Sequence, residues 1–463
     1  MLDGTVVGIA LPTIGRQFHV GISTLQWVVT AYALALAGLL LLGGALGDRL
    51  GRRRVFVIGT IWFAVASLGC GVAPNAVALV AARAFQGIGA ALLTPGSLAI
   101  LQASFVKDDR SKAIGAWSGL GGVAGAIGPF LGGWLISSVS WRLIFFINLP
   151  IAVAVVLISA RHVPESRDPS VVGRIDVGGS ALAVLGLVGV IYGLIEGPVL
   201  GWGSPVTVVA LAGGAALLVV FWTVESRLAH PMLPPRMFAS RQFSAANAVT
   251  FAVYGGLGGA LFLLPVELQQ VAGYSPLRAG AALLPVTLLM LTLSARSGAL
   301  AARIGPRLQM SVGPVLVGAG LVLLTRVTAS GGYLDEVFPA VVVFGLGLAV
   351  TVAPLTSTAL AAAPPEHSGI ASAINNDVAR TASLVAVAVL PVVTGMTGDS
   401  YLNPVRFTHE FRHAVLIAAA GCVMGGIVAA LTIRNPSGPV PAEAQHDSHC
   451  ALDAPPLQGT GSR

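Results

Sequence analysis

Arg83, Gln86 and Asp3 interrupt long apolar runs and could bind or move a proton. Arg83 and Gln86 are three residues apart in the run Leu79–Ala91, so they share one face of a helix. Asp3, in Leu2–Pro12, is the acidic residue within an apolar run that lies nearest to them in sequence. An arginine inside a membrane helix costs at least about 2.5 kcal/mol unless it is paired or hydrated. The pattern therefore predicts an Asp3–Arg83 pair, which is either a proton relay or a structural ion pair.

The later part of the chain contains a second group of polar residues. Asp377 and Arg380 are three residues apart, so we expect them to pair with each other across one helical turn. Glu267 and Glu196 lie near the ends of apolar runs, where we expect water to solvate them. Glu267 and Asp377 remain alternative proton carriers. The candidates in this part of the chain are Glu267, Asn375, Asn376, Asp377 and Arg380.

A short polar loop separates the apolar run that begins near Leu25 from the one that begins at Val55. Its two glycines, Gly44 and Gly51, permit close helix approach and a tight reversal. Asp48 can pair with a neighbouring arginine or face the N-terminus of another helix. We predict a conformational latch, and a positively charged topological anchor is the simpler alternative. The candidate latch residues are Gly44, Asp48, Arg49, Gly51, Arg52 and Arg53.

The loop sequence recurs later in the chain. In Gly298-Ala-Leu-Ala-Ala-Arg303-Ile-Gly305-Pro-Arg307 the Gly, Ala, Leu, Arg, Gly and Arg residues keep the spacing of Gly44–Arg53, and Ala302 replaces Asp48. Such a repeat indicates an internal duplication, as in transporters built from two related halves. We predict four regions: a first six-helix half (1–160), two linker helices (161–241), a second six-helix half (242–434) and a disordered tail (435–463).

The elements that position these residues are membrane helices. Hydrophobic residues make up 55% of the chain and charged residues 10%, whereas a soluble domain has about 25% charged residues. Apolar runs of about 20 residues predict an all-α polytopic membrane protein with about fourteen transmembrane helices. The first run, Gly4–Ile14, is only about half as long as a spanning helix. We therefore expect that Met1 is not the true start and that upstream residues complete this helix.

Charge and motif content exclude several classes of function. The net charge is +7, but the arginines lie in alternate short loops rather than on one patch, so they predict two cytoplasmic termini and no nucleic-acid partner. The phosphate-binding GxxxxGK[ST] motif and the GxSxG motif are absent from the sequence, so we expect no ATP-driven step, no enzyme activity and no cofactor. His446, His449 and Cys450 in the tail lack a rigid frame, so we expect no metal site.

The fifth apolar run is rich in glycine. Gly128, Pro129, Gly132 and Gly133 lie in its second half. Small residues let helices pack closely and slide, and proline adds a bend. The stretch predicts either structural packing or a role in gating.

These motifs together resemble the major facilitator superfamily, and within it the fourteen-helix drug:proton antiporters. The Gly44–Arg53 loop looks like the signature cytoplasmic loop, and Arg83 with Gln86-Gly87 matches the fourth-helix motif associated with proton coupling. Gly128-Pro129-Phe-Leu-Gly132-Gly133 matches the fifth-helix antiporter motif, although Ala124 replaces its leading glycine. The narrower family shows in Leu2–Pro12, Trp141–Pro150, Gly273–Gly280 and Gly369–Asn376. At Glu267 relatives usually carry an aromatic residue.

The resemblance implies a proton-coupled exporter of small amphipathic or cationic drugs. Its partners are then the small-molecule substrate, protons and the lipid bilayer, and we expect a monomer in the cell membrane. Two alternatives remain open at this point: a membrane sensor or scaffold that binds ligands without moving them, and an ion-coupled uptake transporter. The fifth-helix motif argues mildly against uptake.

Overall fold

The computed structural model describes residues 2–104, 107–167, 176–228, 231–363 and 368–435, and within these ranges it contains helices and no strands. Long apolar stretches form helices because a helix satisfies its own backbone hydrogen bonds where lipid offers none. The described residues form fourteen long helices: α1 Leu2–Phe18, α2 Ile22–Leu50, α3 Arg52–Val72, α4 Ala76–Ser104, α5 Lys107–Ser138, α6 Leu143–His162, α7 Val177–Leu200, α8 Pro205–Glu225, α9 Arg241–Gln270, α10 Pro276–Ile304, α11 Arg307–Arg326, α12 Tyr333–Ala361, α13 Ser368–Val393 and α14 Pro404–Thr432.

Twelve helices of the described part of the chain are long and apolar enough to cross a membrane. The other two are α1, with 17 residues, and α5, in which the apolar helical segment is Val123–Ser138. A count of fourteen transmembrane helices therefore stays a prediction. The first helix is longer than the predicted run Gly4–Ile14, because polar residues such as Arg16 and Gln17 continue the helix beyond the apolar stretch.

Small residues bring neighbouring helices together. After the predicted division of the chain we name α1–α6 the first half, α7 and α8 the linker helices, and α9–α14 the second half. α2 packs on α4 and α4 on α3, and α11 packs on α12 and α9 on α14. A Cβ atom at Gly43 would overlap the backbone of Ala91, so α2 and α4 touch there almost backbone to backbone. Such close approach is typical of membrane helices, because between helices in lipid the association depends on packing. Large apolar side chains such as Val65 and Leu431 remain exposed, as lipid-facing residues do.

The linker helices form a hairpin, and α7 packs against both halves. It contacts α2 of the first half and α13 of the second. Ile191 and Ile195 of α7 form one buried cluster with Leu34 of α2 and Leu384 of α13. The linker hairpin therefore covers the seam between α2 and α13.

Hydrogen bonds join the two halves toward one end of the bundle, which we name the closed end (residues 19–21 and 394–403). The Ile22 backbone N–H donates to the Gly398 carbonyl (2.9 Å), and the Tyr401 hydroxyl donates to the Val20 carbonyl (2.8 Å). The opposite end contains the loop Gly44–Arg54, and we name it the arginine-rich end.

Candidate functional site

Asp3, Arg83 and Gln86 meet in the interior of the first half, as the sequence pattern predicts. The Arg83 Nη1 donates to Asp3 Oδ2 at 2.7 Å, and the side chains are only 1% and 6% exposed. Gln86 lies one turn after Arg83 on α4, where it accepts from Arg83 Nη1 (2.5 Å) and donates to Asp3 Oδ1 (3.0 Å). The three side chains form a closed triangle of hydrogen bonds that joins α1 to α4.

Two neutral residues that the sequence analysis did not single out complete this network. Asn148 of α6 donates to Asp3 Oδ1 (3.1 Å), and Ser67 of α3 accepts from Gln86 (2.8 Å) and Asn148 (3.3 Å). The only available signal was an amide within the predicted sixth apolar run, since a serine in a membrane helix is common. The network therefore replaces hydrogen bonds that the buried Asp3 carboxylate would otherwise make with water.

Residues of α2 and α6 also contact the Arg83 guanidinium. Its Nε donates to the Val28 carbonyl (3.0 Å), and its Cζ lies 4.2 Å from the centroid of the Tyr32 ring and 5.9 Å from that of Phe145. Both positions are within cation–π distance. Removing one member of such a buried pair leaves an uncompensated charge, which costs about 3–5 kcal/mol.

A cavity of about 170 Å³ lies between the two halves, beside this network. α1 and α2 supply one wall and α9 and α13 the other, and the lining is apolar apart from the hydroxyl groups of Thr30 and Ser383. Gly4, the residue after Asp3, lines the cavity. Drug-sized molecules occupy pockets of roughly 300–1,000 Å³, so a larger ligand requires the halves to separate. The arrangement suits a small molecule with apolar surface and a few hydrogen-bonding groups.

The loop at the arginine-rich end contains one of the two alternatives expected for Asp48. Asp48 Oδ1 accepts from Arg52 Nε at 2.8 Å across one helical turn. Gly51 has φ 119°, a conformation that favours glycine, so the tight reversal occurs there as predicted. Close helix approach, in contrast, depends on Gly43, since a Cβ atom at Gly44 would make only an ordinary contact with Pro95. Arg49 is exposed.

Glu165, which the sequence analysis missed, lies at the N-terminus of α3. Its carboxylate accepts the backbone N–H groups of Arg53 (3.0 Å) and Arg54 (3.2 Å). Arg53 Nη1 donates to the Val163 carbonyl (3.0 Å). A carboxylate at a helix N-terminus is stabilised by the helix dipole and by unpaired N–H groups. The segment after α6 is thereby attached to the α2–α3 loop.

The glycine-rich part of α5 lies where the two halves touch. A Cβ atom at Gly132 would press on Val6 of α1, and one at Gly133 would press on Pro276 at the start of α10. Gly280 of α10 in turn lies against the Pro129 carbonyl. Gly128 is buried. These residues therefore allow α5 and α10 to pack together near the closed end.

Residues 1–387 match the family model of the Major Facilitator Superfamily. The chain belongs to this superfamily. It is a multi-pass membrane protein of a transporter family, and not of an enzyme family.

Its relatives include several resistance and export proteins. The chain is 37% identical over 435 residues to puromycin resistance protein pur8 of Streptomyces alboniger, which covers 91% of this chain and 86% of the relative. It is 34% identical to multidrug resistance protein Stp of Mycobacterium tuberculosis (87% of this chain, 75% of the relative). It is also 34% identical to the tetracenomycin C resistance and export protein of Streptomyces glaucescens (86% and 74%).

Solved structures share the fold at low sequence identity. A bacterial homologue of the human lysosomal transporter Spinster matches with a TM-score of 0.66 at 16% identity, covering 94% of this chain and 96% of that one. An auto-inhibited peptide transporter of the POT family matches with a TM-score of 0.68 at 14% identity, covering 94% and 95%. These likenesses establish the major facilitator fold alone.

In the second half of this major facilitator protein, Asn375 is the best-connected polar candidate. It donates to Thr250 (2.8 Å) and Asn247 (3.2 Å) of α9, so it links α13 to α9. Asn376 is exposed and bonds only within its own helix, to the Ser372 carbonyl (2.9 Å). Asn376 therefore takes no part in the polar contact between α13 and α9.

The expected Asp377–Arg380 pair does not form. Within the described ranges neither side chain has a hydrogen-bond or ion-pair partner, and the buried atoms Asp377 Oδ1 and Arg380 Nε are both unpaired. A spacing of three residues permits contact on a helix but does not require it, because the rotamers of both side chains can direct the charges apart.

The expectation that water solvates Glu267 is wrong, whereas Glu196 is partly exposed. Glu267 is 0% exposed; Thr408 of α14 donates to its Oε1 at 3.3 Å, and Oε2 has no partner. Glu196 of α7 is half-buried and accepts from the Trp27 indole N–H at 2.7 Å. Position near a helix end does not report which face a residue occupies, and both face neighbouring helices.

Within the residues that the structure describes, no group of three or more His, Cys, Asp or Glu side chains could hold a metal ion. His446, His449 and Cys450 lie outside the described residues.

Proposed function

We propose that this chain is a proton-coupled antiporter that exports small amphipathic or cationic drug-like molecules across the cell membrane. One observation supports it most directly: the buried Asp3–Arg83 pair adjoins the cavity between the halves. A purely structural ion pair has no need to border a cavity between the halves. The names of the relatives, which are resistance and export proteins, support the same substrate class and direction.

In the proposed cycle Asp3 carries the proton. In its charged form it is bound by Arg83, Gln86 and Asn148. Protonation cancels the charge, so the ion pair with Arg83 is lost while the guanidinium keeps its bond to Val28. The freed positive charge then repels a cationic substrate from the cavity or attracts acceptor groups from the opposite wall. Proton binding and substrate release are coupled in this way without covalent chemistry.

The driving force is sufficient for export. One pH unit supplies about 1.36 kcal/mol per proton, and 100 mV supplies about 2.3 kcal/mol per charge. One or two protons per cycle can therefore sustain a large substrate gradient.

In the proposed orientation the arginine-rich end and both termini face the cytoplasm, since short basic loops stay inside. Both cavity walls come from one chain, so a monomer suffices. The proposed organisation is two six-helix halves, 1–160 and 242–434, joined by α7 and α8.

The test uses inverted or reconstituted vesicles with an imposed pH gradient and a panel of amphipathic dyes and antibiotics. We expect pH-driven transport by the native protein. Asp3→Asn should abolish pH-driven transport while substrate exchange without a gradient persists, because only the proton carrier is lost. Asp335→Asn, at an exposed acid, serves as the control. Full pH-driven transport by Asp3→Asn would exclude Asp3 as the carrier.

A further inference from the structure

Asp377 and Arg380 are opposite charges without partners. Asp377 Oδ1 and Arg380 Nε are both buried and unpaired. A charge removed from water costs several kcal/mol. Within the described residues the two charges act on each other only at a distance longer than a salt bridge, and neither has a hydrogen-bond partner. A molecule that enters the protein can supply both partners.

Their position on α13 places them beside the cavity. Ser383, Leu384 and Val387 of this helix line it. Residues 377, 380, 384 and 387 follow the helical period, so they share one face. α13 runs from the arginine-rich end to the closed end. Asp377 and Arg380 therefore lie between the arginine-rich end and the cavity, on the helix face that carries the lining residues Leu384 and Val387.

The charge of Arg380 lies within electrostatic range of tyrosines on two other helices. It acts on Tyr32 of α2 and on Tyr254 of α9. Tyr32 is also the ring against which Arg83 lies, with 4.2 Å between the guanidinium carbon and the ring centroid. Tyr32 therefore lies against Arg83 and within electrostatic range of Arg380.

We propose that Asp377 and Arg380 form a charge-selecting site for substrates that carry both a basic nitrogen and an anionic or strongly accepting oxygen. Asp377 accepts from the protonated nitrogen, and Arg380 donates to the oxygen. The apolar wall formed by Leu384 and Val387 holds the ring system of the substrate. This inference rests on the proposed export function and narrows its substrate class to zwitterionic and amphoteric molecules.

The test measures equilibrium dye binding to the full-length protein in nanodiscs without a pH gradient, so it is independent of proton coupling. Three dyes share one xanthene scaffold: a zwitterionic rhodamine with a free carboxylate, its cationic methyl ester, and anionic fluorescein. The native protein should bind the zwitterion most tightly. Asp377→Asn should weaken the binding of the zwitterion and of the methyl ester by about tenfold or more, and it should leave the binding of fluorescein unchanged. Arg380→Gln should weaken the binding of the zwitterion and of fluorescein to a similar extent, and it should leave the binding of the ester unchanged. The size of both effects follows because a hydrogen bond to a charged group contributes about 1.5–3 kcal/mol.

Neither variant removes a hydrogen bond, so we expect both to fold, and the thermal unfolding of each variant checks this. Asn376→Ala, on the same helix but outside the site, should leave all three affinities unchanged. Equal changes for the three dyes in either variant, or no change at all, would overturn the proposal. If the dyes bind selectively but pH-driven transport is not observed, the charge-selecting site is supported and the proposed proton coupling is rejected.

Discussion

Glu165 and Asn435 occupy corresponding places in the two halves. Each lies three residues beyond the end of the last helix of its half and touches a glycine with positive φ, Gly51 (119°) for Glu165 and Gly305 (85°) for Asn435. The Glu165 side chain also accepts a backbone N–H group from the first turn of α3, and the Asn435 side chain accepts one from the first turn of α11. The recurrence of this contact supports the proposed duplication, and only the contact of the first half carries a negative charge.

Glu165→Gln should slow transport and leave the fold intact. The substitution removes the charge that interacts with the N-terminus of α3, an interaction of about 0.3–1 kcal/mol at an exposed site. If this contact differs between the two states of the transport cycle, the rate changes by up to about fivefold. The measurements are the rate of pH-driven transport in vesicles and the temperature of thermal unfolding.

Asp48→Asn is the companion variant in the same loop. Its partner Arg52 is partly exposed, and such pairs contribute about 0–1 kcal/mol, so folding should be preserved while transport falls. If both variants transport at the native rate, the loop is only a topological anchor.

The sequence predicted the buried pair but not its surroundings. Arg83 and Asp3 stand out because charges inside apolar runs are rare and costly, and the structure brings them together. Ser67 and Asn148 are neutral, so nothing in the sequence marks them as neighbours of that pair. The sequence did not predict that Glu267 is buried. Its exposure depends on which helix packs against its face of α9, and only the tertiary structure determines this packing.

Arg83→Lys should reduce pH-driven transport by at least about tenfold, although the charge is kept. The guanidinium uses Nε and Nη1 to reach Val28, Asp3 and Gln86 together. A lysine ammonium is a point charge without this planar arrangement, so at least one bond to a charged group is lost, which costs about 1.5–3 kcal/mol. Transport is compared with that of Arg326→Lys, at an exposed arginine outside the candidate sites. Equal rates for the two variants would show that only the charge at this position matters.

Gly133→Ala should open the closed end. The added Cβ atom overlaps the backbone of Pro276 and Leu277 in the other half, so α5 and α10 can no longer pack as closely. Gly125 lies on the same helix with nothing within 4 Å of its Cβ position, which makes Gly125→Ala the matched control.

The readout for this opening is the distance between spin labels attached at Arg16→Cys and Asp399→Cys, both exposed positions near the closed end. We expect a longer distance in Gly133→Ala and a native distance in Gly125→Ala. An unchanged distance in both would mean that the glycine-rich stretch does not limit the approach of the halves.

Glu267→Gln distinguishes a second proton carrier from a buried structural acid. The Glu267 carboxylate is fully buried with one long hydrogen bond, from Thr408 at 3.3 Å, and an unpaired Oε2. Glutamine keeps the shape and removes a buried charge, so thermal stability should not fall. Glu410, on α14, is the matched contrast because Arg406 donates to it at 2.7 Å. Glu410→Gln should therefore destabilise the protein, by less than about 1 kcal/mol since Arg406 is exposed. If Asp3 carries the proton, Glu267→Gln retains pH-driven transport; loss of that transport with substrate exchange intact would move the proton site to the second half.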